Sequence, residues 1–161
     1  MRKILLLLPL ALLALPVLAG HATAAGTGAC DQAKAGQLDK ARGGFYDPTL
    51  GFNKFICHDF TGDGIPDAAF TVNSGGSSGT IGWGIVQGLP NSGAKLAKLD
   101  KNSLYVGMRR SKNDVQVSAP IYGPNDPACC PKAFNIDTWH WNGHRFKHTH
   151  SRRVHKLHGF F

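Results

Sequence analysis

The stretch Asp59-Phe60-Thr61-Gly62-Asp63-Gly64-Ile65-Pro66-Asp67 decides the fold of this chain. Three carboxylates and a hydroxyl fall at alternate positions in it, and a glycine follows the second carboxylate directly. Strand-forming residues lie on both sides, from Phe52 to Cys57 and from Ala68 to Val72. A glycine-rich turn between two such runs predicts two paired strands joined by an acidic loop.

Residues 1–24 have the pattern of a secretory signal peptide. A positively charged start and the apolar run Leu5 to Leu18 precede the small residues Ala22-Thr23-Ala24, which suit cleavage. The apolar run is shorter than the ~20 residues that a membrane span needs. No cysteine follows Leu18-Ala19-Gly20, so a lipid anchor is not predicted. We therefore expect a secreted, extracellular protein with a single mature domain at 25–161 and no transmembrane span.

The composition of the chain favours β structure. All ten acidic residues are Asp, and the chain has 20 Gly and 9 Pro. Glu is a good helix former, whereas Gly and Pro supply turns, so a bundle of helices is disfavoured.

One segment, Asp31 to Arg42, has the pattern of a helix, because Asp31 can cap its start and Gly43-Gly44 can end it. The apolar side of this helix is thin, so we expect it to pack on a sheet. Short β runs alternate with turn clusters from Phe52 onward. Strands are predicted near 52–58, 67–73, 80–87, 104–109, 113–119, 134–141 and 144–150. The expected fold class is α+β, mainly an antiparallel β meander with one short N-terminal helix, stabilised by disulfides.

Three turn clusters support the predicted meander. Asn73 to Gly79 suits a flexible hairpin loop, Lys112-Asn113-Asp114 suits a tight turn, and Asn142-Gly143 predicts a type I′ hairpin turn. In the segment 134–138 apolar and polar residues alternate, which indicates that Phe134 and Ile136 share one face of a strand.

Four cysteines in an exported chain imply two disulfides, formed by Cys30, Cys57, Cys129 and Cys130. Either Cys30 pairs with Cys57 and the adjacent Cys129 and Cys130 form a vicinal bridge, or the first two cysteines are tied across to the adjacent pair in one of two ways. A vicinal bridge is strained, because adjacent Cα atoms are only ~3.8 Å apart. All three pairings stay open, with a slight preference for Cys30–Cys57, whose loop is of moderate length.

The acidic stretch also suggests a calcium loop, since calcium takes six to eight oxygen ligands in a flexible shell. An EF-hand is excluded, because its twelfth position would fall on Phe70. The stretch resembles the D-x-T-G-D-G-x-x-D loop of FG-GAP and VCBS-type repeats, which joins two strands and binds calcium. The resemblance implies a structural Ca²⁺ held by Asp59, Thr61, Asp63, the Ile65 carbonyl and Asp67. The alternative is a metal-free turn in which Asp59 and Asp63 cap backbone N–H groups.

A broader pattern extends over residues 55–147. The acidic loop is followed by a Gly/Ser hairpin, then by Tyr122 ahead of Asp126-Pro127-Ala128-Cys129-Cys130-Pro131, and finally by Trp139-His140-Trp141-Asn142-Gly143. This order is similar to small exported domains of actinobacteria of the LppP/LprE lipoprotein type. The resemblance implies the fold and export rather than an activity, since that family has no well-defined one. This chain departs from the lipoprotein type because it lacks a lipobox.

Candidates for catalysis are weak. Gly75-Gly76-Ser77-Ser78-Gly79 fits the hydrolase pattern G-x-S-x-G, but a strand follows it where the nucleophile elbow needs a helix. Export favours oxidised cysteines over a reactive thiol. Six of the eight histidines are in the C-terminal part, and His148 and His150 are expected to share a strand face, which gives two metal ligands at most. We expect the protein not to be an enzyme.

The C-terminal segment 144–161 is rich in cationic and histidine side chains and contains no acid. Its candidate anion-binding residues are Arg145, Lys147, Arg152, Arg153 and Lys156. One interpretation is a surface for an anionic cell-envelope polymer or lipid headgroups. The other is a solvated edge strand whose cations prevent aggregation. Specific nucleic-acid binding is not predicted, because no recognised module is present.

The large aromatic residues are expected to form the core rather than a ligand platform; they are Trp83, Tyr105, Phe134, Trp139 and Trp141. The leading hypothesis is a secreted, non-enzymatic binding or envelope-associated domain with a structural calcium loop. A cationic surface-binding protein that acts through the C-terminal segment is the alternative, and a hydrolase has the least support.

Overall fold

The computed structural model describes residues 28–77, 79–127 and 129–160. The predicted signal peptide at 1–24 lies outside the described residues. The helical elements are a short 3₁₀ helix at Gly28–Cys30 and one α-helix, α1, at Gln32–Ala41. The strands are β1 Phe52–His58, β2 Asp67–Asn73, β3 Thr80–Leu89, β4 Gly93–Asp100, β5 Gly107–Ser111, β6 Asp114–Ile121, β7 Ala133–Trp141 and β8 Phe146–Val154.

The strands form two antiparallel sheets, each in the order of the chain. Sheet A has the order β1-β2-β3-β4, and sheet B has the order β5-β6-β7-β8. Every neighbouring pair is antiparallel and follows directly in sequence, so both sheets are meanders. The predicted α+β class with one short helix is confirmed.

Strand β4 is absent from the predicted set, and other strands differ in their bounds. β5 begins at Gly107 rather than near 104, and β8 extends to Val154 rather than ending near 150. β4 was missed because Ala, Lys and Leu fill most of it, and these residues favour helix over strand. Pairing along β3, from Leu89 with Gly93 to Trp83 with Asp100, overrides that local preference.

The main core lies between the two sheets. Sheet A contributes Ala69, Trp83 and Ile85, and sheet B contributes Val115 and Val117 among its buried residues. A second cluster covers the other side of sheet A, where Ala68, Phe70 and Val86 meet the helical segment through Ala29 and Ala35. Strand β2 is therefore buried on both faces, which explains its nearly continuous run of buried residues.

Helix α1 begins and ends where the sequence predicts. The Asp31 carboxylate accepts hydrogen bonds from the N–H groups of Ala33, at 2.9 Å, and Lys34, at 3.3 Å. These bonds satisfy donors that the first turn leaves open. The chain leaves the helix at Arg42 and enters Gly43, which has a φ of 72°. As expected, the buried side of the helix packs on sheet A.

The cysteines form two disulfides, Cys30–Cys57 and the vicinal Cys129–Cys130. The preferred pairing is therefore confirmed. The first disulfide ties the 3₁₀ helix to β1 across a Cα–Cα distance of 5.7 Å. Because it closes a loop of moderate length in a small domain, we expect it to stabilise the fold by about 2–5 kcal/mol.

The turns confirm two of the three predicted types. Asn73 pairs with Thr80 across the Gly/Ser loop, and Ser111 pairs with Asp114 across a two-residue turn. The type I′ prediction at Asn142-Gly143 is wrong, since Gly143 has a positive φ and Asn142 does not. Instead the Asn142 side chain accepts the N–H groups of His144 and Arg145, at 3.1 and 2.9 Å, and closes a longer loop. The two positive φ values of a type I′ turn occur at Asn91 and Ser92, between β3 and β4.

The C-terminal segment 155–160 returns across sheet B from β8 at one edge to β5 at the other. The Phe160 carbonyl accepts a hydrogen bond from the N–H of Met108 in β5, at 2.8 Å. The Arg109 guanidinium lies 4.5 Å from the Phe160 ring and donates to the His158 carbonyl at 2.8 Å. Phe160 is 1% exposed. The segment is thus a packed part of the domain and not a loose tail.

Within the described ranges, no helix combines the length and the apolar character that crossing a membrane requires.

Candidate functional site

The acidic loop at 59–67 lies between β1 and β2, as predicted, and Asp67 is its buried centre. The Oδ2 atom of Asp67 accepts the N–H groups of Phe60 and Thr61, both at 2.9 Å. The Oδ1 atom accepts the N–H of Gly88 in β3, also at 2.9 Å. Burial raises the pKa of this carboxyl, although the hydrogen bonds oppose the shift. Asp67 therefore joins both ends of the loop to the sheet.

Asp59 organises the exposed half of the same loop. Its Oδ1 accepts the N–H groups of Gly62, at 2.6 Å, and Asp63, at 3.2 Å, and its Oδ2 accepts the N–H of Gly64 at 2.8 Å. Desolvation by burial raises the pKa of Asp59, but the backbone hydrogen bonds outweigh it and leave that pKa below its ordinary value. Asp63 accepts the N–H of Ile65 at 2.9 Å. The carboxylates of the loop thus face backbone donors.

Side-chain oxygens of the predicted calcium ligands take part in hydrogen bonds within the loop. The Thr61 hydroxyl lies 3.4 Å from Asp59 Oδ1 and donates to it. The oxygens of Asp59 and Asp67 accept backbone N–H groups, and Asp63 accepts the N–H of Ile65. Across the described ranges, no group of three or more His, Cys, Asp or Glu side chains could hold a metal. The calcium site at Asp59, Thr61, Asp63, Ile65 and Asp67 stays a prediction, and the hydrogen bonds explain the shape of the loop without it.

Strand β8 carries the cationic residues at the outer edge of sheet B. All its residues between Phe146 and Val154 are exposed. We define the basic edge as Arg145, Lys147, Arg152, Arg153 and Lys156, of which every side chain is exposed. β8 pairs with β7 on one side and presents its other side to solvent. The basic edge is therefore an open strand edge and not part of a packed face.

A β-bulge at Thr149 reverses the faces of the β8 residues that follow it. Trp139 pairs with His148, and the next residue, Thr138, pairs with His150. Because adjacent residues of β7 point to opposite faces, His148 and His150 do so as well. The prediction that these two histidines share a face is wrong, since the bulge adds a residue between them.

Few acids neutralise these cations. Among the described residues, the contacts within 4.0 Å between a basic group and a carboxylate both involve histidine: His140 with Asp114 at 2.7 Å and His148 with Asp137 at 3.1 Å. In the described part of the chain, no Lys or Arg of the basic edge has a carboxylate oxygen within 4.0 Å. The positive charge of the edge is thus left for solvent or for a partner.

Ser151, His148 and Asp137 form a hydrogen-bonded cluster that resembles a catalytic triad in composition only. The Ser151 hydroxyl lies 2.8 Å from His148 Nε2, and Asp137 Oδ1 lies 3.1 Å from the same nitrogen. Ser151 also donates directly to Asp137. A triad needs the serine and the carboxylate on opposite ring nitrogens of the histidine. One nitrogen then accepts the serine proton, while the N–H of the other donates to the carboxylate. This cluster does not have that arrangement.

The other candidate nucleophiles also lack the required setting. Ser77 lies in a loop between two antiparallel strands, as the hairpin interpretation predicted, and no helix follows it. All four cysteines are in disulfides.

The aromatic residues divide between the core and a pocket. Trp83 is 2% exposed in the main core, and Trp139 and Trp141 pack against that core from one face of β7. The expectation of a core position is wrong for Tyr105 and Phe134. Both are half-buried and line a pocket that the sequence did not indicate, because its walls come from five separate segments.

No protein-family model, curated protein or solved structure matches this chain. The resemblances to the FG-GAP/VCBS loop and to the LppP/LprE type stay predictions.

Proposed function

We propose that this protein is an exported, non-enzymatic binding domain whose basic edge attaches it to an anionic polymer of the cell envelope. The observation that carries the proposal is the exposed strand β8, whose cations have no carboxylate partner among the described residues. Opposite charge attracts such a polymer over roughly a Debye length, about 8–10 Å at physiological salt. An extended edge strand with charges on both faces suits a linear chain of repeating anions better than a single small anion.

Two further features support a binding role over catalysis. The Ser151, His148 and Asp137 cluster has the wrong geometry for nucleophilic attack. The sulfur atoms of the four cysteines are in disulfides. Disulfides also suit the oxidising conditions outside the cytosol, which supports export.

The test compares two variants with the same loss of charge. The first replaces Lys147, Arg152 and Arg153 by Gln, and its control replaces the exposed Lys40, Lys95 and Lys112, which lie elsewhere on the surface. Binding to long-chain polyphosphate or to purified wall teichoic acid is measured by co-sedimentation over a salt series. We expect the basic-edge variant to lose at least about tenfold in affinity and most of its salt dependence, and the control to lose much less.

Equal losses in the two variants would contradict the proposal, since net charge alone would then explain binding. Unchanged polymer binding combined with self-association of the basic-edge variant would instead assign the cations to protection of the strand edge. Anionic lipid vesicles serve as a parallel probe. Binding to vesicles but not to either polymer would also overturn the assignment to a polymer.

A further inference from the structure

A pocket of ≈ 530 Å³ opens where sheet A, sheet B and the connection between them meet. Its walls come from five segments: the start of β1, the loop between β2 and β3, the connection before β5, the end of β6, and the stretch that leads from there into β7. Residues that the argument uses are Asn53, Ser77, Tyr105, Tyr122, Pro131 and Phe134. The volume lies within the range of about 300–1,000 Å³ that small-molecule sites usually have.

The walls are aromatic and stiff. The rings of Tyr105 and Tyr122 meet edge to face, with centroids 6.3 Å apart and planes at 68°. Tyr122 keeps 37% of its surface exposed. Pro131 and the vicinal disulfide partner Cys129 form the adjoining wall, and neither has a long flexible side chain. Apolar ring surface around a concave opening is left in water, and a ligand with its own apolar face would cover it.

Tyr105 is held in this wall in an unfavourable backbone conformation. Its φ is 56°, in the left-handed region that bulky side chains rarely adopt. The other described non-glycine residues with positive φ are Asn91, Ser92 and Lys112, and each lies in a tight hairpin turn. Tyr105 instead lies in the connection between the sheets, where no hairpin requires such a φ.

Two hydrogen bonds maintain the position of Tyr105. Its N–H donates to the Thr80 carbonyl at 3.0 Å. The buried Thr80 hydroxyl donates to the carbonyl of Val106 at 2.9 Å. The surrounding structure thus fixes the tyrosine against its own backbone preference, which is typical of residues at binding sites.

The polar groups of the pocket define the chemistry of its ligand. None of the described residues that line it is Asp, Lys, Arg or His. A charged ligand would lose hydration there without an opposite charge in return. Burial and the neighbouring Tyr105 raise the pKa of Tyr122, so its phenol is neutral at physiological pH. The Asn53 amide donates to the Gly79 carbonyl at 2.7 Å. Its side-chain oxygen and the exposed Ser77 hydroxyl can exchange hydrogen bonds with a neutral polar molecule.

We propose that this pocket binds a neutral sugar, with one apolar C–H face of the ring against the tyrosines and its hydroxyls toward the rim. Aromatic faces carry partial negative charge, which attracts the partially positive C–H groups of a sugar ring. A purely apolar ligand would displace water from the exposed Ser77 hydroxyl and the Asn53 side-chain oxygen without replacing its hydrogen bonds. The proposal does not rest on the basic edge, because none of the five residues of that edge lines the pocket.

The test titrates the purified protein with cellobiose, maltose and N,N′-diacetylchitobiose, with saturation-transfer NMR as the readout. We expect saturable binding of at least one disaccharide below about 10 mM, with transfer concentrated on one face of one ring. Tyr122→Ala should weaken that binding by about three- to tenfold, the size of a lost aromatic contact. Phe45→Ala removes an aromatic side chain that is 52% exposed outside this pocket, and it should leave binding unchanged.

A second variant distinguishes the loss of a ligand contact from misfolding. Asn adopts a positive φ more readily than Tyr, so Tyr105→Asn should keep the fold while it removes the ring. We expect a circular dichroism spectrum like that of the parent and the same loss of disaccharide binding.

Three results would overturn the proposal. The first is the absence of binding by all three disaccharides. The second is disaccharide binding that survives both tyrosine substitutions. The third is Tyr122-dependent binding of p-cresol or of digalacturonate in place of the neutral sugars, since the ligand would then be apolar or charged. The basic-edge variant should bind the disaccharides as the parent does, so failure of the polymer proposal would leave this one standing.

Discussion

Asp67 shows how one side chain determines the shape of the acidic loop. Its two oxygens accept three backbone N–H groups, from Phe60, Thr61 and Gly88. Gly88 can approach so closely because it has no side chain. A Cβ at this position would overlap the carbonyl oxygen of Pro66. The carboxylate is fully buried, so these hydrogen bonds are needed to offset the cost of its burial.

Replacement of Asp67 by Asn should destabilise the fold. An amide offers one acceptor oxygen, so its NH₂ group would face a backbone N–H, either that of Gly88 or those of Phe60 and Thr61. We expect a loss of about 1–3 kcal/mol in the free energy of unfolding, measured by urea denaturation. Asp63→Asn is the control, because Asp63 accepts one exposed N–H, from Ile65. Similar losses in the two variants would show that the buried hydrogen bonds of Asp67 are not decisive.

The predicted calcium site also belongs at this scale, and thermal unfolding tests it. If calcium binds the loop, the melting midpoint rises with millimolar calcium and falls back with chelator, and Asp63→Ala removes the rise. A ligand at 100 times its dissociation constant adds about 2.7 kcal/mol. Identical midpoints with calcium and with chelator would contradict the calcium prediction and leave Asp59 and Asp67 as caps of a metal-free turn.

Helix α1 contains a glycine in its middle, although glycine has a low helix propensity. Gly36 lies in the middle of the helix, and a Cβ at that position would overlap the ring of Tyr46. The N–H of Tyr46 donates to the buried Asp39 carboxylate at 2.9 Å, which holds the chain after the helix against it. Burial raises the pKa of Asp39. The glycine therefore permits a close contact between the helix and the segment that leads to β1.

Replacement of Gly36 by Ala should lower stability although Ala is the better helix former. Helix propensity would gain about 1 kcal/mol, but displacement of the packed Tyr46 ring costs about 1–3 kcal/mol. We expect a net loss of about 1 kcal/mol, measured by urea denaturation. Gln37→Ala, at an exposed position of the same helix, should be neutral or slightly stabilising. A more stable Gly36→Ala variant would show that Tyr46 moves aside without cost.

Strands β4 and β8 show where element-level prediction fails. β4 is rich in helix-forming residues, and only its pairing with β3 makes it a strand. β8 is recognisable as a strand, but the bulge at Thr149 reverses the faces of the residues that follow it. Neither pairing partner nor bulge position can be derived from a local pattern, because both depend on the neighbouring strand.

At the scale of the whole molecule, the C-terminal segment 155–160 links the two edges of sheet B. It contributes the buried Phe160 and the contact with Arg109. Deletion of the basic C-terminal residues would therefore remove part of the fold along with the charges. For this reason the polymer-binding test uses substitutions at the basic edge. Its exposed side chains form no ion pair with a carboxylate in the described part of the chain.

The sequence by itself determined the α+β class, the start and end of α1, the strands on both sides of the acidic loop, and the cationic character of the C-terminal segment. These features follow from local chemistry: capping by Asp31, glycine stops, alternation, and a run of Lys and Arg without acids. Tertiary structure alone decided that the strands divide into two sheets, that β4 exists, that Asp67 accepts an N–H from β3, and that Tyr105 and Phe134 line a pocket instead of the core. The physical reason is that each of these depends on contacts between segments far apart in the chain, and such contacts leave no periodic pattern in the residues of either segment.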